Sequence, residues 1–396
     1  MSFSLILFFN PVCLYGGTMG EKNFLLLPLI LFLFLILPAA GSEVQAPSQP
    51  SAVTPANPAA PAPPPVPEPA ITLAAVGDIY LGNGLEKTIK AEGPDYPWRG
   101  TEKILKGADI AFCNLESPLA SKGKIYVPKR WTLRAHPDMV KSLSAGGFKV
   151  ATLANNHMMD FGAEALKETL ETLDKEKIKY TGAGANLEAA RTPAIMEIKG
   201  KKVAFLAYGK IYPLSFYAGT KKAGIAPGTT ALVEADIKKA KETAQYVVVS
   251  FHWGAEMLKY PKDYQKLLAH AVIDAGADLI IGHHPHVLQG VEVYKGKVIA
   301  YSLGNFAFGS MANSPLSGGI LTVTFRGGRT IDAQIWPTNV NNHKVRFQPQ
   351  LMEAAAAQKA LAEIQKLSQA LKTNITLAEQ AGKIEVEKAV AQEKEK

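Results

Sequence analysis

The sequence predicts an α/β fold in which strands alternate with helices, and two observations carry that prediction. The first is a set of short apolar runs that stop at polar or glycine-containing sequence. Residues 71–76 stop at Gly77 and Asp78, 110–113 at Asn114 and Glu116, and 150–154 at Asn155, Asn156 and His157. Residues 203–207 stop at Tyr208 and Gly209, 246–251 at His252, Trp253 and Gly254, 279–281 at Gly282 and the histidines beyond it, and 298–301 at Ser302 to Asn305. Runs this short, rich in β-branched residues and closed by glycine, read as strands. The second observation is a change of period between several of them. Leu166, Leu170 and Leu173 share one face of 163–175, and Tyr264, Leu267, Leu268, Ala271, Val272 and Ala275 form a stripe along 263–275. Strands alternating with helices imply βα units and a largely parallel sheet, which binds ligands beyond the carboxyl ends of its strands.

The chain has 396 residues, 47% of them hydrophobic, enough for a sizeable core. Its ends differ from its middle. Residues 24–37 are continuous apolar sequence preceded by Lys22 and followed by PAAGS. About fourteen residues suits a signal-peptide core better than the roughly twenty of a bilayer span. Reading on through 38–40 lengthens the run to a marginal anchor, so 1–43 is a leader carrying either a cleaved signal or a retained anchor. Met19 begins a more usual signal than Met1 does, and is the alternative start. Positive charge before the apolar run favours an extracytoplasmic location, anchored at the cell membrane or secreted. Residues 44–70 are a stiff Ala/Pro-rich linker that cannot bury a core.

The main domain is expected over 71–349. After Gly318 the pattern alters: 320–325 and 333–337 flank Arg326, Gly327, Gly328 and Arg329, a hairpin expected to finish the core at one edge. Residues 350–396 are Ala, Glu, Lys, Gln and Leu without proline, and read as a polar helical tail. Its apolar face reads as weak, so the tail is expected to add little to the core. Only two cysteines occur, Cys13 and Cys113, so there is no disulfide framework, and Cys113 reads as a small buried residue. The net charge is +8, without a basic run or basic-aromatic alternation of the kind that grips nucleic acid. An anionic envelope polymer or lipid headgroup suits this balance better, as does a simply solvated lysine surface.

The chemistry concentrates at 279–289, LIIGHHPHVLQ, where His283, His284 and His286 fall together. Pro285 biases His284 to an extended conformation, in which His284 and His286 would share a face. Gathering the strand ends gives Asp78, Glu116, Asn156, His157, His252, His284 and His286. Carboxylates, an amide and imidazoles without thiolates suit a catalytic Mn, Fe or Zn site. Glu116 could bridge two divalent ions held about 3.5–4 Å apart. Asp78 has a competing reading as a helix cap, and Asn155 reads as a turn residue. Asp160 either caps the helix carrying Leu166 or orients His157. Trp253 and Glu256 read as the wall of the site.

The segments VGDIYLG (76–82), CNLESPL (113–119), LANNHMMDFG (153–162), SFHWGAE (250–256), GHHPHVLQGVE (282–292) and YSLGNFAF (301–308) resemble the CapA family of bacterial capsule-synthesis proteins. That family is in turn similar to calcineurin-like metallophosphoesterases. The resemblance implies a metallophosphoesterase-like sandwich of two β-sheets flanked by helices, and a role in making or anchoring poly-γ-glutamate. It implies two divalent metal ions held by Asp78, Glu116 as the bridge, Asn156, His252, His284 and His286. His157 would be the catalytic histidine, with Asp160 beside it. The partners implied are an anionic polymer such as poly-γ-glutamate and membrane-bound capsule synthase subunits. Two positions depart from the phosphoesterase pattern: Tyr80 stands where a histidine is usual, and the bridging GDxxD motif is replaced by Asn114, Leu115 and Glu116. These leave two readings, a metal-dependent hydrolase of phosphoester or amide bonds, or a polymer-binding accessory without turnover.

Overall fold

The computed structural model describes residues 68–311 and 317–386. The leader and nearly all of the linker lie outside the described residues, as does the end of the tail. Among the described residues no helix is long and apolar enough to cross a membrane.

All seven apolar runs lie wholly or largely in strands, the runs 150–154 and 298–301 passing the strand ends at Thr152 and Ala300. They are divided between two sheets. In the larger, Lys179–Thr181, Phe148–Thr152, Ile110–Leu115 and Ile71–Tyr80 lie side by side and parallel. In the smaller, Lys297–Ala300, Leu279–His283, Tyr246–His252 and Lys201–Gly209 are likewise parallel, with antiparallel edges at Val291–Tyr294 and Ala194–Ile198. The parallel order predicted for the centre is present, but in two sheets.

The sheets face one another across a dry core. Leu73, Ala75, Phe112 and Val150 of the larger sheet are buried with Phe205, Val248, Leu279 and Ile281 of the smaller. Phe112 stacks on Phe205 with ring centroids 5.7 Å apart. The outer face of the larger sheet is covered by helices that include Asn83–Glu92 and Gly162–Lys175, burying Leu85, Leu166 and Leu173. Thr230–Lys241 and Asp263–Asp274 cover the smaller sheet through Val233, Ile237, Leu268 and Val272. This is the expected sandwich of two β-sheets flanked by helices. One member of the expected stripe is misplaced: Leu267 is exposed, because the buried face is carried by Gln265, Leu268, Ala269, Val272 and Ile273.

The hairpin forms from Ser317–Arg326 and Arg329–Asn339. Gly327 and Gly328 have φ of 59° and 75°, the left-handed geometry that a tight two-residue turn requires. It does not finish the sheet. Ser317–Arg326 pairs with Ile71–Tyr80, while Arg329–Asn339 is covered in turn by Gly382–Ile384 and then Ile375–Leu377.

Those last two strands correct the expectation of a weakly packed helical tail. The helix Ala354–Gln369 buries Ala357, Leu361, Ile364 and Leu367, one turn apart, and Ile375, Ile384 and Val386 enter the core between the sheets. The stripe is narrow and diluted by alanine, but each member is a full apolar contact. Strands of three residues have no readable period of their own; an open sheet edge supplies the hydrogen bonds that order them.

Candidate metal centre

The carboxyl ends of the central strands of both sheets meet at one place. Asp78, near the end of Ile71–Tyr80, is completely buried. It is a strand residue, not a helix cap, and the register with the neighbouring strand shifts between Ala75 and Asp78, the irregularity that re-aims a side chain. Asn114 Nδ2 donates to its Oδ1 at 2.8 Å, and the His284 backbone N–H to Oδ2 at 3.3 Å. The Nδ1 atoms of His283 and His286 lie 3.2 and 3.3 Å from its two oxygens. Burial pushes the Asp78 carboxyl up, but these imidazoles outweigh it and hold it well below the usual carboxylate range.

Glu116 follows the strand Ile110–Leu115 and is also fully buried. Among the described residues neither of its carboxylate oxygens has a hydrogen-bond donor. Burial, together with the charge of Asp78, drives its pKa well above the ordinary value. A buried carboxylate without donors is costly, and in proteins such groups pair with a proton, a cationic side chain or a metal.

The histidine cluster converges by a route other than the one expected. His284 and His286 have φ of 93° and 58°, so the segment turns twice through left-handed backbone instead of running extended. The rings nevertheless end 6.0 Å apart. His284 Nδ1 lies 3.1 Å from His252 Nε2, which is 2.9 Å from Asn156 Oδ1 and 3.4 Å from Glu116 Oε1. His286 Nε2 is 3.7 Å from the same Glu116 oxygen, while its Nδ1 meets Asn305 Oδ1 at 2.8 Å. Burial and the charge of His286 lower His284 to about 3, and burial chiefly lowers His252. Burial also opposes charge on His286, but Glu116 and Asp78 raise it to about 10.

Close approach at the strand end fixes this loop. A side chain at Gly282 would place its Cβ 1.9 Å from the Tyr301 carbonyl oxygen, so only glycine lets the strand pass there. Trp253 lies behind, its indole donating to the same carbonyl at 3.0 Å and stacked on Phe251 at 4.5 Å.

Among the described residues, three sets of donor atoms lie within 4.8 Å of one another: Asp78, Glu116 and His286; Glu116, His252 and His284; and Glu256, His284 and His286. The first two share Glu116. Oxygen and imidazole donors converging on a carboxylate that has no hydrogen-bond donor fit divalent metal binding.

His157 lies beside this cluster and is nearly buried. Its Nδ1 is 2.8 Å from Asp160 Oδ2, which also accepts the Leu133 N–H at 2.6 Å. The following helix has no side-chain cap, so of its two readings Asp160 follows the one that orients His157. Burial lowers the His157 pKa against the opposing pull of Asp160. Asn155 is the turn residue expected, its Oδ1 accepting the N–H groups of His157 and Met158 at 3.2 and 3.0 Å.

The eight residues singled out from sequence, Asp78, Glu116, Asn156, His157, Asp160, His252, His284 and His286, are therefore neighbours in space. Three neighbours escaped the sequence. Asn114 and Asn305 hold Asp78 and His286, and Lys129 Nζ contacts Asp160 Oδ1 at 2.6 Å, the Asn156 carbonyl at 2.5 Å and His157 Nδ1 at 3.1 Å. Asn114 and Asn305 sit inside the quoted motifs and could have been found from their place at strand ends. Lys129 lies in a long loop with no periodic signal.

Residues 72–310 match the family described as Bacterial capsule synthesis protein PGA_cap. The chain is 34% identical over 277 residues to the capsule biosynthesis protein CapA of Bacillus anthracis, covering 68% of this chain and 67% of that protein. It is 37% identical over 240 residues to the PGA biosynthesis protein CapA of Bacillus subtilis (strain 168), covering 60% and 63%. A probable polyglutamine synthesis accessory protein of Mycobacterium tuberculosis is 31% identical over 227 residues, covering 53% and 59%. Among solved structures, the NAD nucleotidase NadN of Haemophilus influenzae aligns over 83% of this chain and 67% of its own, with TM-score 0.44 and 16% identity. A 5'-nucleotidase precursor from Thermus thermophilus aligns over 76% and 60%, with TM-score 0.42 and 14% identity. With more than half its length matched, this chain belongs to the bacterial capsule synthesis protein family PGA_cap.

Proposed function

We propose that this chain acts in the synthesis or anchoring of a capsule polymer such as poly-γ-glutamate, as a metal-dependent hydrolase of a phosphoester or amide bond. The observation that carries the reading is Glu116, buried without a donor and common to two sets of metal-type ligands. Asp78, Glu116 and His286 would hold one divalent ion, and Glu116, Asn156, His252 and His284 the other. Such ions supply Lewis-acid polarisation and ionised water near neutral pH.

The remaining residues have separable tasks. Asp160 holds His157 by Nδ1 and favours its imidazolium form against burial, and in that form Nε2 would donate a proton to a leaving group or stabilise the transferring oxygen. Lys129 adds a positive charge beside the same imidazole, suited to an anionic substrate. Phe251, Trp253 and Tyr301 form a buried, stacked aromatic wall on the inner side.

The location proposed is extracytoplasmic, at the cell membrane or secreted, supported by Lys22 and the apolar run after it. Membrane-bound synthase subunits are the proposed protein partners, by analogy with the family's role. A second reading, an accessory that binds polymer without turnover, draws on one observation. Tyr80 is buried, its hydroxyl faces the Arg134 carbonyl at 3.4 Å, and burial raises its pKa to about 12. That phenol is a poor replacement for an imidazole ligand. Hydrolysis of chromogenic phosphodiesters and γ-glutamyl amides by the Mn-loaded full chain distinguishes the two. Turnover supports the hydrolase, and bound metal without turnover of either substrate supports the accessory.

A further inference from the structure

The carboxylate of Glu256 stands outside the six ligands assigned so far. It belongs to a loop, not to a strand end, and is exposed. Among the described residues it makes no hydrogen bond and no ion pair, yet its donor oxygen lies within 4.8 Å of nitrogens of both His284 and His286. An unpaired surface glutamate is ordinarily free to swing away. This one is held by its backbone. The Trp253 N–H donates to the His283 carbonyl at 3.1 Å, and the Met257 N–H to the Pro285 carbonyl at 2.9 Å. Two backbone bonds thus fasten the loop carrying Glu256 to the loop carrying the imidazoles, at Met257 through left-handed backbone with φ of 58°.

Tyr80 leaves the cluster one donor short on the side of Asp78. A carboxylate joined to two imidazoles is itself a set that binds divalent iron, manganese or zinc with positions left open. We infer that Glu256 is a ligand of the metal centre, reaching it from the solvent side through the shared imidazoles His284 and His286 and making good the donor that Tyr80 withholds. The inference rests on the metal-centre reading above. It gives that centre a third carboxylate, carried on an exposed loop.

The test is equilibrium binding of Mn²⁺ to the metal-free full chain, read from free Mn²⁺ by electron paramagnetic resonance. Four proteins are compared: wild type, Glu256→Gln, Glu256→Ala and Glu363→Gln. Glu363 is a surface carboxylate paired with Lys259, so its variant controls for the loss of one negative charge. Glu256 has no partner to lose among the described residues, so both its variants should keep the melting temperature of the metal-free wild type. Both should weaken binding of at least one ion by roughly 10-fold or more, the scale at which losing even an outer-sphere partner acts. Glu363→Gln should bind as wild type does. Glu256 variants that match wild type in number and affinity of ions overturn the inference while leaving the metal centre standing. A wild-type chain that binds no Mn²⁺ overturns both.

Discussion

Lys129 and Asp160 form a 2.6 Å ion pair in which the carboxylate is completely buried and the lysine side chain is 20% exposed. The pair joins the long loop after Glu116 to the turn that presents His157, and the Tyr126 N–H donates to the Asp160 carbonyl at 2.9 Å to complete the junction. Burial lowers the pKa of Lys129, against the attraction of Asp160. Lys129→Met removes the ammonium and leaves Asp160 with only the Leu133 amide and His157. A urea titration should show a loss of about 1–3 kcal/mol, the cost of stranding a buried acceptor. An unchanged midpoint and slope would mean that the loop is held by its backbone alone.

The C-terminal segment is part of the sheet. Leu361 is fully buried among residues of both sheets, so Leu361→Ala should cost about 2–5 kcal/mol in urea unfolding. Truncation after Pro349 strips Gly382–Ile384 from the edge of Arg329–Asn339 and uncovers apolar surface. That protein should aggregate or lose cooperative unfolding. A soluble, cooperatively unfolding fragment would restore the original expectation of a dispensable tail.

Asp78 and His252 lie at the ends of apolar strands, Glu116 directly follows one and His157 lies just beyond another, so strand ends pointed to them, while the packing of the two sheets is what brings His252 to the rest. Lys129 and the tail depended on contacts distant in sequence. The lysine is 28 residues from His157, and the terminal strands exist only because the hairpin offers an open edge. His284 and His286 were paired correctly for the wrong reason: two left-handed residues bring the rings together, and an extended segment does not.

Tyr80 gives a sharp negative prediction. Tyr80→Phe removes one long hydrogen bond to the Arg134 carbonyl and no metal donor. Elemental analysis should find the wild-type metal content, and stability should change by no more than about 1.5 kcal/mol. Loss of metal would make the phenol a ligand and remove the ground for a third carboxylate.

His157 separates binding from chemistry. Its Nδ1 is committed to Asp160 at 2.8 Å and the residue lies outside all three donor sets. His157→Ala should retain metal. If the chain is a hydrolase, kcat should fall by roughly 10²–10⁴-fold, the scale of general acid–base assistance. Equal loss of metal and activity would move His157 into the ligand shell.

Glu116 shared between two cation positions would set the metal stoichiometry of the chain. The full chain and Glu116→Gln, each freed of metal and reconstituted with Mn²⁺, are dialysed and their ions counted by elemental analysis. Two ions per wild-type chain are expected, with loss of both, or nearly both, in the variant, because both donor sets contain this one carboxylate. A variant that keeps the wild-type count, or a wild-type chain that holds no metal, would contradict a shared Glu116.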